Sequence, residues 1–333
     1  MTTPPLALPR PDPGAHPGTG PDAAARVLRA VAVVACVPYL ALKTAWLAGG
    51  RVGLPEGSVL LEHPRLVAVA NAGTLLMDLA VIALALLLTQ RWGLRVRAWL
   101  PAFPLWVATG LLLPIVVGFP VDALAGLLEG GGHAAAGPAE PLLDAWVFPL
   151  VYGGFTVQGL ALGALSVRYA RHRWGRLWRG TVRDLPARVS GPGTRAAAAV
   201  ASLALVPVAA VHLGWAAGMT EGLSPSRIAT RTAGFHALEA LHVLYAAAAV
   251  AGVGLLVFRR GRGLPLRFPL ALGWAGSGAV GCWGGWRFLT AVAPAADPAE
   301  EPTALLTLTY AGEMITGMVL AGCLAVFLRG RAG

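Results

Sequence analysis

Residues 66–90 read LVAVANAGTLLMDLAVIALALLLTQ, and Asp78 is the one charged residue in the run. A stretch of this length is enough to cross a hydrocarbon core of about 30 Å. No water reaches the backbone there, so the run has to satisfy its own N–H and C=O groups and must be helical.

Seven further apolar runs follow the same rule, giving spans at 29–49, 66–90, 98–120, 145–168, 196–218, 232–257, 268–292 and 303–328. The whole chain agrees with them. Of its 333 residues 56% are hydrophobic and 13% charged, with a mean hydropathy of +0.66. Ordinary globular chains carry about 25% charge. A disordered chain, a coiled coil and an ordinary cytosolic enzyme are therefore excluded. The expected fold is an all-α integral membrane protein of eight transmembrane helices.

Four regions are expected. Residues 1–25, rich in proline, glycine and alanine, read as a disordered cytoplasmic tail without the basic start and apolar core of a signal peptide. Residues 26–168 and 196–333 each hold four spans. Residues 169–195 form a basic connection in which Trp174, Leu177 and Trp178 sit among arginines, as in a helix lying on anionic lipid. Orientation follows from Lys and Arg. With the N-terminus inside, 20 of the 26 basic residues fall in cytoplasmic segments and four in external loops, while ten of 16 acids fall outside. Both termini are expected in the cytoplasm of a plasma-membrane protein.

The two halves match in order. Val37-Pro38 pairs with Val206-Pro207, and the same register pairs Lys43 with His212, Trp46 with Trp215, Gly49 with Gly218 and Gly53-Leu54 with Gly222-Leu223. Ala72-Gly73 pairs with Ala233-Gly234, setting Asp78 opposite Glu239. Pro101, Trp106 and Gly110 pair with Pro269, Trp274 and Gly278; Tyr152, Gly154, Gly159 and Leu162 pair with Tyr310, Gly312, Gly317 and Leu320. Four spans is an even number, so tandem repeats would run parallel about an axis along the membrane normal.

The stretch Val37-Pro38-Tyr39-Leu40-Ala41-Leu42-Lys43-Thr44-Ala45-Trp46-Leu47-Ala48-Gly49-Gly50 resembles the first helix of a group of uncharacterised actinobacterial membrane proteins. In that group an aromatic residue, a Lys or His, a Trp and a Gly-Gly close the helix at its outer end. The resemblance is looser in the fifth span, where Met219 replaces the second glycine. It implies the architecture and no chemistry.

Ionisable groups inside a bilayer are costly and mark functional sites by default. Here they are Lys43, Asp78, His212, His236, Glu239, His242, Arg287 and Glu313. At about 1.5 Å of rise per residue, Lys43 and His212 share a depth in the outer half, as do Glu239 and Arg287, with Asp78 and Glu313 near the middle. A shared polar site of Lys43, Asp78, His212, Glu239, His242, Arg287 and Glu313 between the halves is expected. Lys43, the only lysine, is either a switchable base or one half of an ion pair with Asp78. Asp78 and Glu239 suit a proton relay, a counter-charge for a cationic ligand or a general acid. Alternatively they only neutralise neighbouring cations.

His236, Glu239 and His242 form H-x-x-E-x-x-H, three side chains within about 120° of one helix. This is a weak metal signal, without the repeated Glu-x-x-His of di-iron bundles. Cys36, Cys282 and Cys323 show no C-x-x-C spacing, so neither a disulfide scaffold nor a Cys-ligated metal is expected. Trp46, Trp215 and Trp286 sit at outer helix ends, as interfacial anchors or a cation–π wall. Glycines of the fourth and seventh spans suit close helix packing. No phosphate loop or dinucleotide fingerprint is present, and no cofactor is expected.

The expected partners are the lipid bilayer and a small apolar or amphiphilic molecule, with no nucleic acid. Three functions stay open: a transporter or permease-like protein with Asp78 and Glu239 carrying protons, taken first; a membrane-embedded enzyme acting on a lipid or isoprenoid by acid-initiated, terpene-cyclase-like chemistry; and a structural or sensory protein.

Overall fold

The computed structural model describes residues 22–56, 58, 64–129, 143–186, 189–293 and 298–332. Most of the expected tail, residues 1–21, lies outside this set; its last residues do not, for helix α1 already begins at Ala23. Asp22 caps it, accepting the Ala25 N–H at 2.8 Å and pairing with Arg168. These contacts, the N–H first, hold the exposed Asp22 carboxyl below its ordinary range.

All regular elements among the described residues are helical. They are α1 (Ala23–Leu47), α2 (Pro64–Thr89), α3 (Trp99–Leu128), α4 (Val147–Trp174), α5 (Pro192–Ala216), the short α6 (Pro225–Ala229), α7 (Ala233–Val257), α8 (Arg267–Gly278), α9 (Gly284–Val292) and α10 (Ala304–Ala332). Seven of these, α1–α5, α7 and α10, are long and apolar enough to cross a membrane. The expected span 268–292 is helical but interrupted. A π-turn over Ala279–Trp283 divides it into α8 and α9, each too short to cross alone.

Helix ends follow their sequence. α1 and α5 both close with a glycine of positive φ, Gly49 at +84° and Gly218 at +99°. The N–H of Gly50 reaches the Ala45 carbonyl and that of Met219 the Gly214 carbonyl. These 6→1 bonds satisfy carbonyls that a helix end otherwise leaves open. Just beyond, the Trp46 indole donates to the Val52 carbonyl at 2.7 Å and the Trp215 indole to the Glu221 carbonyl at 2.9 Å.

One buried cluster joins α1, α2, α3 and α4 through residues such as Ala85, Leu105, Leu162 and Leu165. Another joins α5, α7, α8 and α10 through Leu205, Val253, Leu270 and Phe327. Trp274 packs against both. The halves meet at glycines: a methyl on Gly110 of α3 would stand 2.3 Å from the Gly278 carbonyl oxygen. Two hydrogen bonds cross the seam reciprocally. The Trp106 indole donates to Ser277 Oγ and the Trp274 indole to Thr109 Oγ1, each at 3.2 Å. Outward faces are apolar, with Leu203, Val206, Leu244 and Leu308 exposed, as lipid contact requires.

The basic loops gather at one end. Arg173 donates to the Gly93 and Val96 carbonyls, the Arg183 N–H bonds the Arg262 carbonyl, and Arg331 reaches the Arg179 carbonyl. The connection after α4 holds two short 3-10 turns, Gly175–Trp178 and Val182–Asp184, rather than one surface helix. Val182 and Leu185 are buried, so this segment is packed into the bundle end. Asp184 accepts from the Thr181 N–H and hydroxyl, which lowers its carboxyl below the ordinary range.

Crowding at the seam predicts a contrast between glycines. Gly110→Ala must push α3 from α8 and is expected to cost about 1–3 kcal/mol, seen as a lower Tm in detergent. Gly254→Ala, with nothing within 4 Å of its added methyl, should leave Tm unchanged or raise it slightly.

Candidate ion cluster and ligand cavity

Of the eight ionisable groups expected inside the membrane, seven fall into two places rather than one, and His236 belongs to neither. His212 of α5, Glu239 and His242 of α7, Arg287 of α9 and Glu313 of α10 form a single connected cluster. Lys43 of α1 and Asp78 of α2 lie in the first half, on the wall of a cavity.

The three-residue spacing of Glu239 and His242 puts both on one face of α7. His212 Nδ1 lies 2.5 Å from Glu239 Oε2, and its Nε2 lies 3.1 Å from Glu313 Oε1. His242 Nδ1 is 2.8 Å from the same Glu313 oxygen, and Arg287 Nη1 is 2.8 Å from His242 Nε2. Arg287 Nη2 also reaches Glu239 Oε1 at 3.4 Å, and its guanidinium sits 4.5 Å above the Tyr310 ring. The two imidazoles stack with centroids 4.5 Å apart and planes 7° from parallel. His212, Glu239 and Glu313 are each about 2% exposed or less.

Donor rules fix much of the proton arrangement. A guanidinium only donates, so His242 Nε2 must be the acceptor and its hydrogen sits on Nδ1, facing Glu313. His242 is then neutral. His212 places a nitrogen against each carboxylate, which favours a proton on both. Two carboxylates, one imidazolium and one guanidinium sum to zero, the arrangement a low-dielectric interior tolerates. His212 Nε2 and Glu313 Oε2 nevertheless lack an aligned hydrogen-bond partner, leaving capacity to move a proton within the cluster.

His212, His242 and Glu313 offer ligand atoms within 4.8 Å of one another. This differs from the H-x-x-E-x-x-H set, because His236 points its Nδ1 to the Trp215 carbonyl at 3.0 Å instead. The set does not fit a metal in this arrangement. Arg287 occupies the only free lone pair of His242, so coordination would require an imidazolate or removal of the guanidinium.

The first half is built differently. Lys43 Nζ donates to Asn71 Oδ1 at 2.6 Å and lies 4.8 Å from the Tyr39 ring centroid and 5.0 Å from that of Trp46. Lys43 is in none of the ion pairs within 4 Å among the described residues, so the expected direct pair with Asp78 is absent there. Asp78 is 3% exposed and Gln158 of α4 is 1% exposed, yet Asp78 Oδ2 and Gln158 Oε1 have no hydrogen-bond partner. Both line a cavity of about 480 Å³, together with Tyr39, Lys43, Trp283 and Trp286. That volume lies in the range of small-molecule sites.

From the sequence, Asn71 and Gln158 do not stand out, and Tyr310 is named only as the repeat partner of Tyr152. Asn71 stands seven residues before Asp78 and so on the same helical face, a spacing that could have flagged it. The cavity and the cluster share a wall: Trp286 lines the first and Arg287 belongs to the second, both on α9.

A buried network is disturbed most by losing one partner. Glu313→Gln or Arg287→Gln is expected to cost about 3–5 kcal/mol. The charge-balanced pair Glu239→Gln with Arg287→Gln should cost less than the sum of its single changes, measured by thermal melting in detergent.

Compared with known proteins, the chain matches no family model, no curated protein and no solved structure.

Proposed function

We propose that the chain is an eight-span membrane protein built from two parallel four-helix repeats, with both termini cytoplasmic, and that it acts as a permease-like carrier of a small amphiphile. Counting α8 and α9 as one interrupted span gives the eight. The repeat reading is supported by its own register: Gly49 and Gly218, Gly53 and Gly222 share positive φ, and the two Trp–carbonyl bonds after α1 and α5 occupy matching positions. The crossed Trp106–Ser277 and Trp274–Thr109 bonds are the reciprocal contacts a two-fold relation produces. The inside assignment rests on the basic loops meeting at one end.

The observation that carries the functional reading is the cavity, with two buried, unpartnered acceptors on its wall. Buried polar atoms are satisfied in most proteins, so a ligand or water completes them. The neighbouring ion cluster supplies groups able to hold a proton, and α9 links the two. A π-turn in such a link is a frequent feature of functional sites. One observation favours a second reading, a membrane-embedded enzyme: the aromatic rings around Asp78 would suit an acid that starts carbocation chemistry.

Extraction of the purified protein in lipid nanodiscs should release a small amphiphile, identified by mass spectrometry, that is absent from the cavity-filling variant Val151→Trp. In proteoliposomes that molecule should accumulate unaltered under an imposed pH gradient, and Glu313→Gln should abolish the pH dependence. Conversion of the molecule into another would establish the enzyme instead. No released molecule and no difference between the two proteins would remove both readings.

A further inference from the structure

We propose that the cavity beside Asp78 takes an electrically neutral lipophile whose head is a hydroxyl, of the fatty-alcohol or isoprenoid-alcohol class. This rests on the cavity being a ligand site and adds what the ligand is.

Three features of the wall converge on that head group. The body of the cavity is aliphatic and aromatic, with Phe103, Phe148 and Leu111 among its lining, so the bulk of the ligand is apolar. Of the groups in the wall, Lys43 and Asp78 are the two that carry charge near neutral pH, the Tyr39 and Tyr152 hydroxyls being neutral there. Whichever of them holds the proton, their charges sum to zero. A carboxylate or an ammonium on the ligand would add an unbalanced charge in a low-dielectric space, and such a charge is strongly disfavoured.

The third feature is the hydrogen-bond inventory. Asp78 Oδ2 and Gln158 Oε1 are acceptors without donors. The Lys43 ammonium has three N–H groups, and one is engaged by Asn71. The head must therefore donate to Asp78 or Gln158 and accept from Lys43. A hydroxyl does both with one atom. An ammonium can only donate, and an ionised carboxylate can only accept.

The second repeat shows the contrast. Its equivalent groups, His212 and Glu239, are engaged by His242, Arg287 and Glu313. Lys43 and Asp78 have the neutral amides of Asn71 and Gln158 beside them instead of further charged partners, and Val81 and Phe155 line the cavity with them.

The test uses the full chain in nanodiscs with three diazirine-bearing probes of equal chain length: an alkanol, an alkylamine and an alkanoate. After irradiation, labelling of cavity residues such as Phe103, Trp283 and Trp286 is quantified by mass spectrometry. The alkanol is expected to label them about 10-fold more than either charged probe, as a site built around a hydroxyl discriminates. Asp78→Asn leaves Lys43 unbalanced and should pass the preference to the alkanoate. Lys43→Met leaves Asp78 unbalanced and should pass it to the alkylamine. Equal labelling by all three probes, or a charged probe preferred by the unaltered protein, overturns the hydroxyl assignment while the cavity stands as a site. A preference that neither substitution moves overturns it too. The comparison within the unaltered protein decides even if a variant fails to fold. No labelling of cavity residues by any probe overturns both the assignment and the ligand-site reading beneath it.

Discussion

Glu239 and Glu313 are each about 2% exposed, and burying two carboxylates in an apolar bundle is the constraint on which the second half depends. Ionised acids in that setting demand positive partners from the same chain, well aligned. His212 and Arg287 supply the charge, and His242 bridges them as a neutral donor and acceptor. These five side chains come from α5, α7, α9 and α10. Their short distances therefore fix the rotation of four helices about their own axes. Apolar packing alone would leave those rotations loosely specified, because helices of this kind are apolar nearly all round.

Close approach is the second requirement, and glycine meets it. Arg287 can reach the cluster only if α9 lies hard against α10. A methyl on Gly284 would stand 2.4 Å from Glu313 Cβ, and one on Gly317 would stand 2.3 Å from the Gly281 nitrogen. The π-turn falls in this glycine-rich stretch, between α8 and α9. An added residue in a turn rotates everything beyond it, so the π-turn sets the orientation of α9, and the step of about 100° between adjacent helical residues separates Trp286 from Arg287.

Apolar length is a local property, and so the long helices were legible in the chain. Residues 268–292 were legible as helical and apolar, but their interruption was not, because it arises where glycines of distant helices touch. The register sets Glu239, His212 and Arg287 at overlapping levels, and the structure brings these three side chains into one cluster. Rotation about the helix axis was not readable. Lys43 and His212 pair in the proposed register, yet one lines a cavity and the other belongs to an ion cluster. His236 shares a helix with Glu239 and His242 but turns to a backbone carbonyl. Asn71 and Gln158 escaped notice because a neutral amide barely alters the hydropathy of a long apolar run, though its hydrogen bonds matter as much as a charge once water is gone.

In the proposed repeat register, Phe155 stands where Glu313 does, and Val81 where His242 does. Both Phe155 and Val81 line the cavity. The same place in the two halves thus holds a charged cluster in one and open space in the other. Under the proposed duplication, a polar pair occurs twice at matching register, and the second pair is the one enclosed by further charged side chains. In the closed cluster each charge has an opposite partner within 4 Å, so it offers a ligand no unbalanced charge, although His212 Nε2 and Glu313 Oε2 lack an aligned hydrogen bond. The open pair lies on a cavity wall, where Asp78 Oδ2 and Gln158 Oε1 are buried without a partner and can accept from an incoming group. The two halves thus differ in side-chain chemistry at positions that match in the proposed register, and α9 touches both places, with Trp286 on the cavity wall and Arg287 in the ion cluster.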